Sequence, residues 1–262
     1  MHPFINLFGL NIPVYGILSA LGIAASVAVL IPLCRRRKVE ISDAAFVGIV
    51  SFIGVLIGSH LLYALTRAGD IAAAVSNYDT FESFGAFVKY VINEASGMVF
   101  YGGLYGGILA GALCVKIRKF PMGVLADLFA VVIPLFHAFG RVGCFFAGCC
   151  YGVQWQGGIG GRVIAKGAIE HTKRLPVQLI EAALLLVLFL ALFVMYRKCV
   201  AKNNLMCVYL FSYAVLRFVL EYLRGDEIRG HLLWFSTSQW ISILTIVGVL
   251  VYIVINKCKS KE

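Results

Sequence analysis

The chain has 262 residues, of which 61% are hydrophobic and 14% are charged, whereas about a quarter of the residues in a soluble domain are charged. This composition excludes an ordinary soluble domain and indicates an integral membrane protein. The 23 Lys and Arg residues exceed the 13 Asp and Glu residues and give a net charge of +10, but they form short clusters between long apolar runs, a pattern that argues against nucleic-acid binding.

Seven apolar runs long enough to cross a bilayer follow one another along the chain, and each is predicted to be a helix. They lie at residues 12–34, 43–66, 98–115, 122–143, 176–196, 204–223 and 239–256. No basic segment precedes the first run, so we expect it to stay in the protein and not to be removed as a signal peptide. The sequence therefore predicts an all-α bundle of seven transmembrane helices that forms a single domain, residues 1–262.

The basic residues predict the orientation of these spans. Thirteen of the 23 Lys and Arg residues directly follow spans 1, 3, 5 and 7, while the other ten are spread over longer segments. Because short cytoplasmic loops carry an excess of Lys and Arg, the N-terminus is predicted to lie outside and the C-terminus in the cytoplasm.

Two long loops and one glycine-rich span stand out. In the loop 67–97, residues 84–92 are predicted to form a helix at the membrane interface. The loop 144–175 contains a glycine-rich stretch at 157–161, interpreted as a flexible connection because no strand precedes it and no Lys-Ser/Thr pair follows. In span 3, glycines recur every four residues, at Gly103, Gly107 and Gly111. This spacing predicts the close approach of another helix. A helix face without side chains could also border a lipid-sized cavity.

Ionisable residues lie within or beside two of the spans. His137 and Arg141 are four residues apart at the end of span 4, and Tyr213, Arg217 and Glu221 have the same spacing in span 6. Residues four apart share one helix face, so each set forms a polar stripe. A charge at the bilayer centre costs about 2.5–3.5 kcal/mol, so these residues need partners or a function.

Two interpretations of the arginines stay open. In the first, ion pairs from Arg217 to Glu221 and from Arg141 to Glu181 only lock helices together, or an arginine reaches out to the interface. In the second, Arg141 and Arg217 converge on a phosphate, which a guanidinium group binds through two oxygens at once. A phospholipid head group is the obvious source of that phosphate.

The eight cysteines are scattered and do not form a disulfide framework. Cys144, Cys149 and Cys150 have a spacing that does not match the common zinc patterns, so no metal site is predicted, although His137 could complete an improvised one. A disulfide, or a nucleophilic thiolate beside Arg141, is an alternative to simple packing.

Five segments, in order along the chain, share the pattern of one known family. They are Ile12–Gly16 (IPVYG), Phe100–Leu104 (FYGGL), Phe139–Gly152 (FGRVGCFFAGCCYG), Arg174–Ala182 (RLPVQLIEA) and Tyr213–Asp226, which ends in Arg-Gly-Asp. Together they resemble the signature segments of the prolipoprotein diacylglyceryl transferases, seven-helix enzymes that begin the maturation of bacterial lipoproteins.

The resemblance implies a reaction and a location. The diacylglyceryl group of phosphatidylglycerol would be transferred to the lipobox cysteine thiol of a preprolipoprotein, giving a thioether and glycerol 1-phosphate, in the bacterial cytoplasmic membrane. No metal or soluble cofactor is implied. By position, Arg141 and Arg217 would bind the phosphate. The residues implied to bind or shape the substrate site are Tyr15, Gly102, Gly103, Cys144, Gly152, Tyr213 and Glu221.

The chain departs from the family where a general base is expected. Tyr101 stands at the position of the family's histidine, Cys144 replaces its signature asparagine, and Ala147 and Cys149 replace a later asparagine and glutamate. A thiol with a pKa near 8.5 needs help to ionise, and a tyrosine with a pKa near 10 is a weak base unless a nearby cation lowers that pKa. The catalytic set is therefore predicted to be Arg141 and Arg217 with Tyr101 or His137 as the base.

Three other readings are weaker. His60 in span 2 is a further candidate base, although a lone histidine on a helix is commonly only packed. The altered signature also allows a paralogue that moves the same lipid group to another acceptor. A lipid or anion transporter would use Arg141 and Arg217 for binding, but the sequence shows no internal repeat, and only Pro134 lies well inside a span.

Overall fold

A computed structural model of the chain describes residues 4–7, 9–97, 100–157, 161–165, 168–225, 231–232 and 234–259. Each of the seven predicted spans is a helix there, and most helix ends fall within about two residues of the prediction, the usual uncertainty of such boundaries. These helices are α1 (Val14–Arg37), α2 (Ile41–Thr66), α5 (Phe100–Ile117), α6 (Met122–Ala147), α7 (Val177–Arg197), α8 (Leu205–Glu221) and α9 (Thr237–Lys259). Two shorter helices, α3 (Ala68–Ser76) and α4 (Phe84–Ala95), lie between α2 and α5.

The long helices are those of a multi-pass membrane protein. Among the described residues, α1, α2, α6, α7 and residues Thr237–Asn256 of α9 are long and apolar enough to cross a bilayer, and Gly102–Ile117 forms a shorter apolar helix. Helix α8 has 17 residues and carries both Arg217 and Glu221. The count of seven spans and the orientation of the termini stay predictions.

The loops contain short strands that the all-α prediction did not include. Three antiparallel two-stranded hairpins are formed by β1 (Phe4–Leu7) with β2 (Leu10–Pro13), β3 (Gly161–Ala165) with β4 (Ala168–Arg174), and β5 (His231–Leu232) with β6 (Phe235–Ser236). Backbone N–H and C=O groups outside helices need partners, and pairing two short segments provides them. A search for long apolar runs does not detect such segments. Residues 158–160 of the glycine-rich stretch lie outside the described residues.

The chain divides into two compact units, residues 34–125 and residues 1–33 with 126–262. In the first unit, α2 and α5 pack backbone against backbone through their glycines. A Cβ atom added to Gly58 would meet the carbonyl oxygen of Gly102 and lie 2.9 Å from the Cα atom of Gly106, and one added to Gly107 would lie 2.6 Å from Val55 Cγ2. The predicted close approach of a helix to span 3 is confirmed.

Polar contacts fix the loop that follows α2. The Arg67 guanidinium pairs with Glu94 at 2.5 Å and with Asp70 at 3.0 Å. Ser83 accepts a hydrogen bond from a backbone N–H in the first turn of α4, so the predicted helix at 84–92 is present, while its position at the interface stays a prediction. The His60 ring lies 3.0 Å from the Gly97 carbonyl oxygen, which accounts for this histidine structurally.

The second unit is built around α6, whose middle is largely buried. A Cβ atom added to Gly22 of α1 would lie 2.9 Å from Phe139 Cβ, so these helices are in close contact. Asp127 of α6 is buried, and its carboxylate accepts the N–H groups of Asn203 at 2.6 Å and Leu205 at 2.9 Å. The carboxylate thus satisfies donors at the start of α8, where the helix dipole favours negative charge.

Candidate functional site

The two arginines that the sequence singled out project from α6 and α8 and each has a carboxylate partner. Arg141 Nη2 lies 2.9 Å from Glu181 Oε1 of α7. Arg217 Nη2 lies 2.5 Å from Glu221 Oε2 on the same helix and donates to Ser238 Oγ of α9 at 3.3 Å. Both predicted ion pairs are therefore formed. The first ties α6 to α7, and the hydrogen bond from Arg217 to Ser238 ties α8 to α9.

Glu181 is the centre of a polar cluster inside the helices. Its side chain is fully buried, and Oε1 receives a hydrogen bond from the Tyr213 hydroxyl at 3.4 Å in addition to the contact with Arg141. His137 Nε2 lies 4.0 Å from the same oxygen, and the His137 ring packs edge-on against Tyr213 with ring centroids 5.3 Å apart. We call His137, Arg141, Glu181 and Tyr213 the Glu181 cluster.

Arg141 and Arg217 share neighbours. Both lie within electrostatic range of His137 and of Tyr213. The polar stripe of α8 thus faces the polar stripe of α6, as expected if the two arginines serve one site. Binding of a phosphate between them stays a prediction.

Each arginine also keeps a donor unused. Within the described residues, Arg141 Nε and Arg217 Nη1 are buried without a hydrogen-bond partner, and so is the acceptor Glu181 Oε2. Most buried polar atoms in proteins are hydrogen-bonded, and the exceptions call for an explanation. Each guanidinium group is paired with one carboxylate.

Serines at the start of α9 complete the surroundings of Arg217. Ser236 Oγ donates to Glu221 Oε1 at 2.8 Å, and Ser236 and Ser238 are both buried. These two serines were not among the predicted site residues, and Glu181 was predicted only as an ion-pair partner. The available signal for the serines was the polar run Ser236–Gln239 immediately before the last span.

The end of α6 brings further predicted residues together. Tyr15 of α1 lies within electrostatic range of Arg141, Cys144 and Cys149, and a Cβ atom added to Gly143 would lie 2.8 Å from the Tyr15 ring. Tyr15 therefore lies in the surroundings of Arg141, and its part in a lipid site stays a prediction.

Gly152 is a position of close backbone approach. A Cβ atom there would lie 2.5 Å from Val177 Cγ2, and 2.7 and 2.8 Å from the carbonyl oxygens of Leu175 and Leu223. Its N–H donates to the Leu175 carbonyl at 3.0 Å, and it forms a backbone bridge with Arg224. Only glycine fits this packing, so Gly152 shapes the turn after α6.

The remaining predicted residues lie in the other compact unit or outside the described residues. Gly102 and Gly103 of α5 pack against α2, and the side chain of Tyr101 is outside the described residues, as is Asp226. Their roles in a lipid site stay predictions.

Comparison with known proteins adds independent findings. A family model described as "Prolipoprotein diacylglyceryl transferase" matches residues 3–255. The phosphatidylglycerol–prolipoprotein diacylglyceryl transferase of Clostridium tetani is 32% identical over 249 residues, which cover 94% of each chain. An enzyme of the same name, numbered 2, from Clostridium perfringens is 32% identical over 98% of this chain and 96% of its own. The Campylobacter hominis protein of that name is 27% identical over 98% of this chain and 91% of its own.

Proposed function

The chain belongs to the prolipoprotein diacylglyceryl transferase family, and from this premise and the site geometry we propose that it transfers the diacylglyceryl group of phosphatidylglycerol to the lipobox cysteine thiol of preprolipoproteins. Glycerol 1-phosphate is the second product. We place the reaction in a bacterial cytoplasmic membrane, with phosphatidylglycerol and the preprolipoprotein signal peptide as partners. The seven helices and the orientation with the N-terminus outside belong to the same proposal.

One observation carries the phosphate-binding part of this proposal: Arg141 and Arg217 both lie within electrostatic range of His137 and Tyr213, and each keeps one buried N–H donor without a hydrogen-bond partner. Leaving a buried donor unsatisfied is costly, and a phosphate accepts from both groups. Negative charge grows on the phosphate as its bond to the diacylglyceryl group breaks. Fixed cations aimed at that position stabilise the transition state more than the ground state.

The general base is proposed from two residues, Tyr101 and His137. The His137 ring lies in the Glu181 cluster, and its Nε2 atom faces Glu181 Oε1 at 4.0 Å. Histidine is the side chain that most often acts as a general base. This contact supports His137, whereas Tyr101 is supported by its position in the family segment.

The clamp is tested by Arg141→Ala and Arg217→Ala. Purified protein is incubated with labelled phosphatidylglycerol and a lipobox peptide, and both glycerol phosphate release and thioether formation are measured. Because loss of one transition-state donor costs about 10²–10³ in rate, each variant is expected to lose at least about 100-fold. Arg197→Ala is the matched control, since Arg197 is exposed at the end of α7. Unchanged turnover in either site variant would reject the phosphate assignment.

The same assay separates the other candidate functions. Release of glycerol phosphate without a thioether would indicate another acceptor, and saturable lipid uptake into proteoliposomes without turnover would indicate transport. For the base, Tyr101→Phe and His137→Ala are compared across pH. Full activity of both variants at every pH would exclude both residues.

A further inference from the structure

Three cysteine side chains meet at the end of α6. The sulfur atoms of Cys144, Cys149 and Cys150 all lie within 4.8 Å of one another. Helix α6 ends at Ala147, and Gly148 follows with φ of 74°. These three cysteines are called the tricysteine cluster below.

The backbone turn after α6 creates this cluster. The N–H of Cys149 donates to the carbonyl oxygen of Cys144, and the N–H of Gly148 donates to that of Phe145, each at 3.2 Å. These two bonds form the Schellman motif, which folds the chain back over the last turn of its own helix. Residue 149 is thereby returned to the face that carries Cys144.

Cys150 is held in an unfavourable backbone conformation to join them. Its φ is +59°, a value that non-glycine residues other than Asn and Asp rarely adopt. The turn is fixed from α7, because the buried Gln178 donates from Nε2 to the Cys149 carbonyl at 2.7 Å.

Two arginines lie beside the tricysteine cluster. Arg224 lies within electrostatic range of Cys150. Arg141, one turn before Cys144, lies within electrostatic range of both Cys144 and Cys150. The thiolate is the form of cysteine that binds metal ions.

We propose that Cys144, Cys149 and Cys150 bind one divalent cation that prefers sulfur ligands, and Zn²⁺ is the cation that fits three thiolates. The fourth coordination position of this cation takes the thiol of the acceptor cysteine. The second half rests on the proposed function. Zn–S bonds of about 2.3 Å place the sulfur atoms of a tetrahedral site about 3.8 Å apart, which small side-chain rotations reach from the observed cluster. The sequence predicted no metal because the spacing matches no zinc pattern, but the turn brings the ligands together regardless of spacing.

The exposure of the cluster fits an open coordination position. Cys149 is exposed, while Cys144 and Cys150 are partly buried, so a fourth ligand has access from one side. Three protein ligands with one open position are the arrangement of catalytic zinc sites, whereas structural sites are closed by four.

The bound cation would promote loss of the acceptor thiol's proton, the step for which the family's histidine is absent here. A thiol bound to the cation gives up its proton to solvent water, which reaches the cluster from the exposed side of Cys149, so no strong base at residue 101 is required. The bound sulfur then forms an S–C bond to the carbon of the diacylglyceryl group that carries the phosphate. The C–O bond between that carbon and the phosphate breaks at the same time. The electron pair stays on the phosphate oxygen, which leaves as glycerol phosphate beside Arg141. The cation keeps its charge, and nothing is oxidised or reduced.

Metal binding is tested on the full-length protein in detergent, with a thiol-free reductant. We expect one Co²⁺ per chain with the visible absorption of a tetrahedral thiolate complex, displaced by Zn²⁺. Changes around the ligands of a metal site cost about 10–100-fold in affinity, so Cys144→Ser, Cys149→Ser and Cys150→Ser, which remove a ligand outright, should each weaken Zn²⁺ binding at least about 100-fold. Cys199→Ser is the matched control because Cys199 is an exposed free cysteine beyond the end of α7.

Several results would overturn the site. Co²⁺ binding that survives in all three variants, or that is lost in the control, would show that these cysteines are not the ligands. A disulfide between two of the three, detected by intact mass and peptide mapping under the same reducing conditions, would do the same. Thermal unfolding of each variant establishes that a loss of binding is not a loss of fold.

The fourth position has a separate test. Adding a lipobox peptide should change the Co²⁺ spectrum, while the peptide with serine in place of its cysteine should not. Chelator-treated protein should lose thioether formation and regain it with Zn²⁺. Full turnover by metal-free protein would overturn the role in acceptor binding and leave the proposed function standing. A spectral change without turnover in any metal state would instead support the site and count against the proposed function.

Discussion

Replacing Glu181 by Gln tests how the buried arginine of α6 is neutralised. The substitution keeps the shape of the side chain and an oxygen that can accept from Tyr213, but it removes the negative charge 2.9 Å from Arg141. Breaking a buried ion pair by removing one partner costs about 3–5 kcal/mol. Because the glutamine oxygen still accepts hydrogen bonds, we expect the low end, about 3 kcal/mol. At roughly 2–4 °C per kcal/mol for a protein of this size, the Tm should fall by about 6–12 °C.

The proposed clamp adds a second expectation for the same variant. If a lipid phosphate is held by Arg141, it replaces the charge that Glu181→Gln removes. A ligand at 100 times its Kd stabilises a protein by about 2.7 kcal/mol, so phosphatidylglycerol should raise the Tm of the variant more than that of the wild type. Diacylglycerol, which lacks the phosphate, should not.

The measurement is thermal unfolding in a neutral detergent, followed by intrinsic fluorescence, with and without added lipid. Glu82→Gln, at an exposed position, is the control and should leave the Tm unchanged. A fall of less than about 2 °C for Glu181→Gln would refute the reasoning on the ion pair. Equal gains from phosphatidylglycerol in variant and wild type would refute the reasoning on the phosphate.

Three further predictions address packing, capping and ionisation. Asp127→Ala leaves two backbone N–H groups at the start of α8 without their acceptor. We expect it to lower the free energy of unfolding, measured by denaturant titration, by about 3 kcal/mol, and a loss below about 1 kcal/mol would argue against the cap. Gly58→Ala forces a methyl group into the contact of α2 with α5 and should cost about 1–3 kcal/mol, whereas Gly69→Ala, with open space around it, should be close to neutral. Hydrogen bonds from neighbouring cysteines, and then Arg224, lower the pKa of Cys150, so in metal-free protein its thiolate persists as the pH falls below the usual thiol pKa of about 8.5. Its alkylation rate should therefore fall less steeply between pH 8 and pH 6.5 than that of a peptide cysteine, and an equal slope would contradict the shift.

The prediction from sequence succeeded for the helices because their signal is local. A run of apolar residues of spanning length requires a helix in a membrane, where each backbone N–H and C=O group must be satisfied within the segment. The glycine spacing of α5 was informative for the same reason, since it describes one face of one helix. The hairpins were missed because short strands satisfy their backbone groups with another segment, a relation that no single run of residues expresses.

The sequence predicted which residues belong to the candidate site, but it predicted few of the contacts between them. Arg141, Arg217, Tyr213 and His137 were found because ionisable residues in apolar helices are rare and costly. The central position of Glu181 was not found, because it depends on how α7 is rotated against α6 and α8. The same holds for Ser236 and Ser238, which only the packing of α9 brings to the ion pair of Arg217.

By itself, the sequence determined that this is a multi-pass membrane protein, where its long helices lie, which arginines lie within them and to which family its segments are similar. These follow from hydrophobic run length, from the cost of buried charge and from motif order, all of which can be read along the chain. Only the tertiary structure decided that Arg141 meets Glu181 and that three unevenly spaced cysteines share one point. The physical reason is that these contacts are set by helix rotation and by positive φ angles at Gly148 and Cys150, which residue type alone does not dictate.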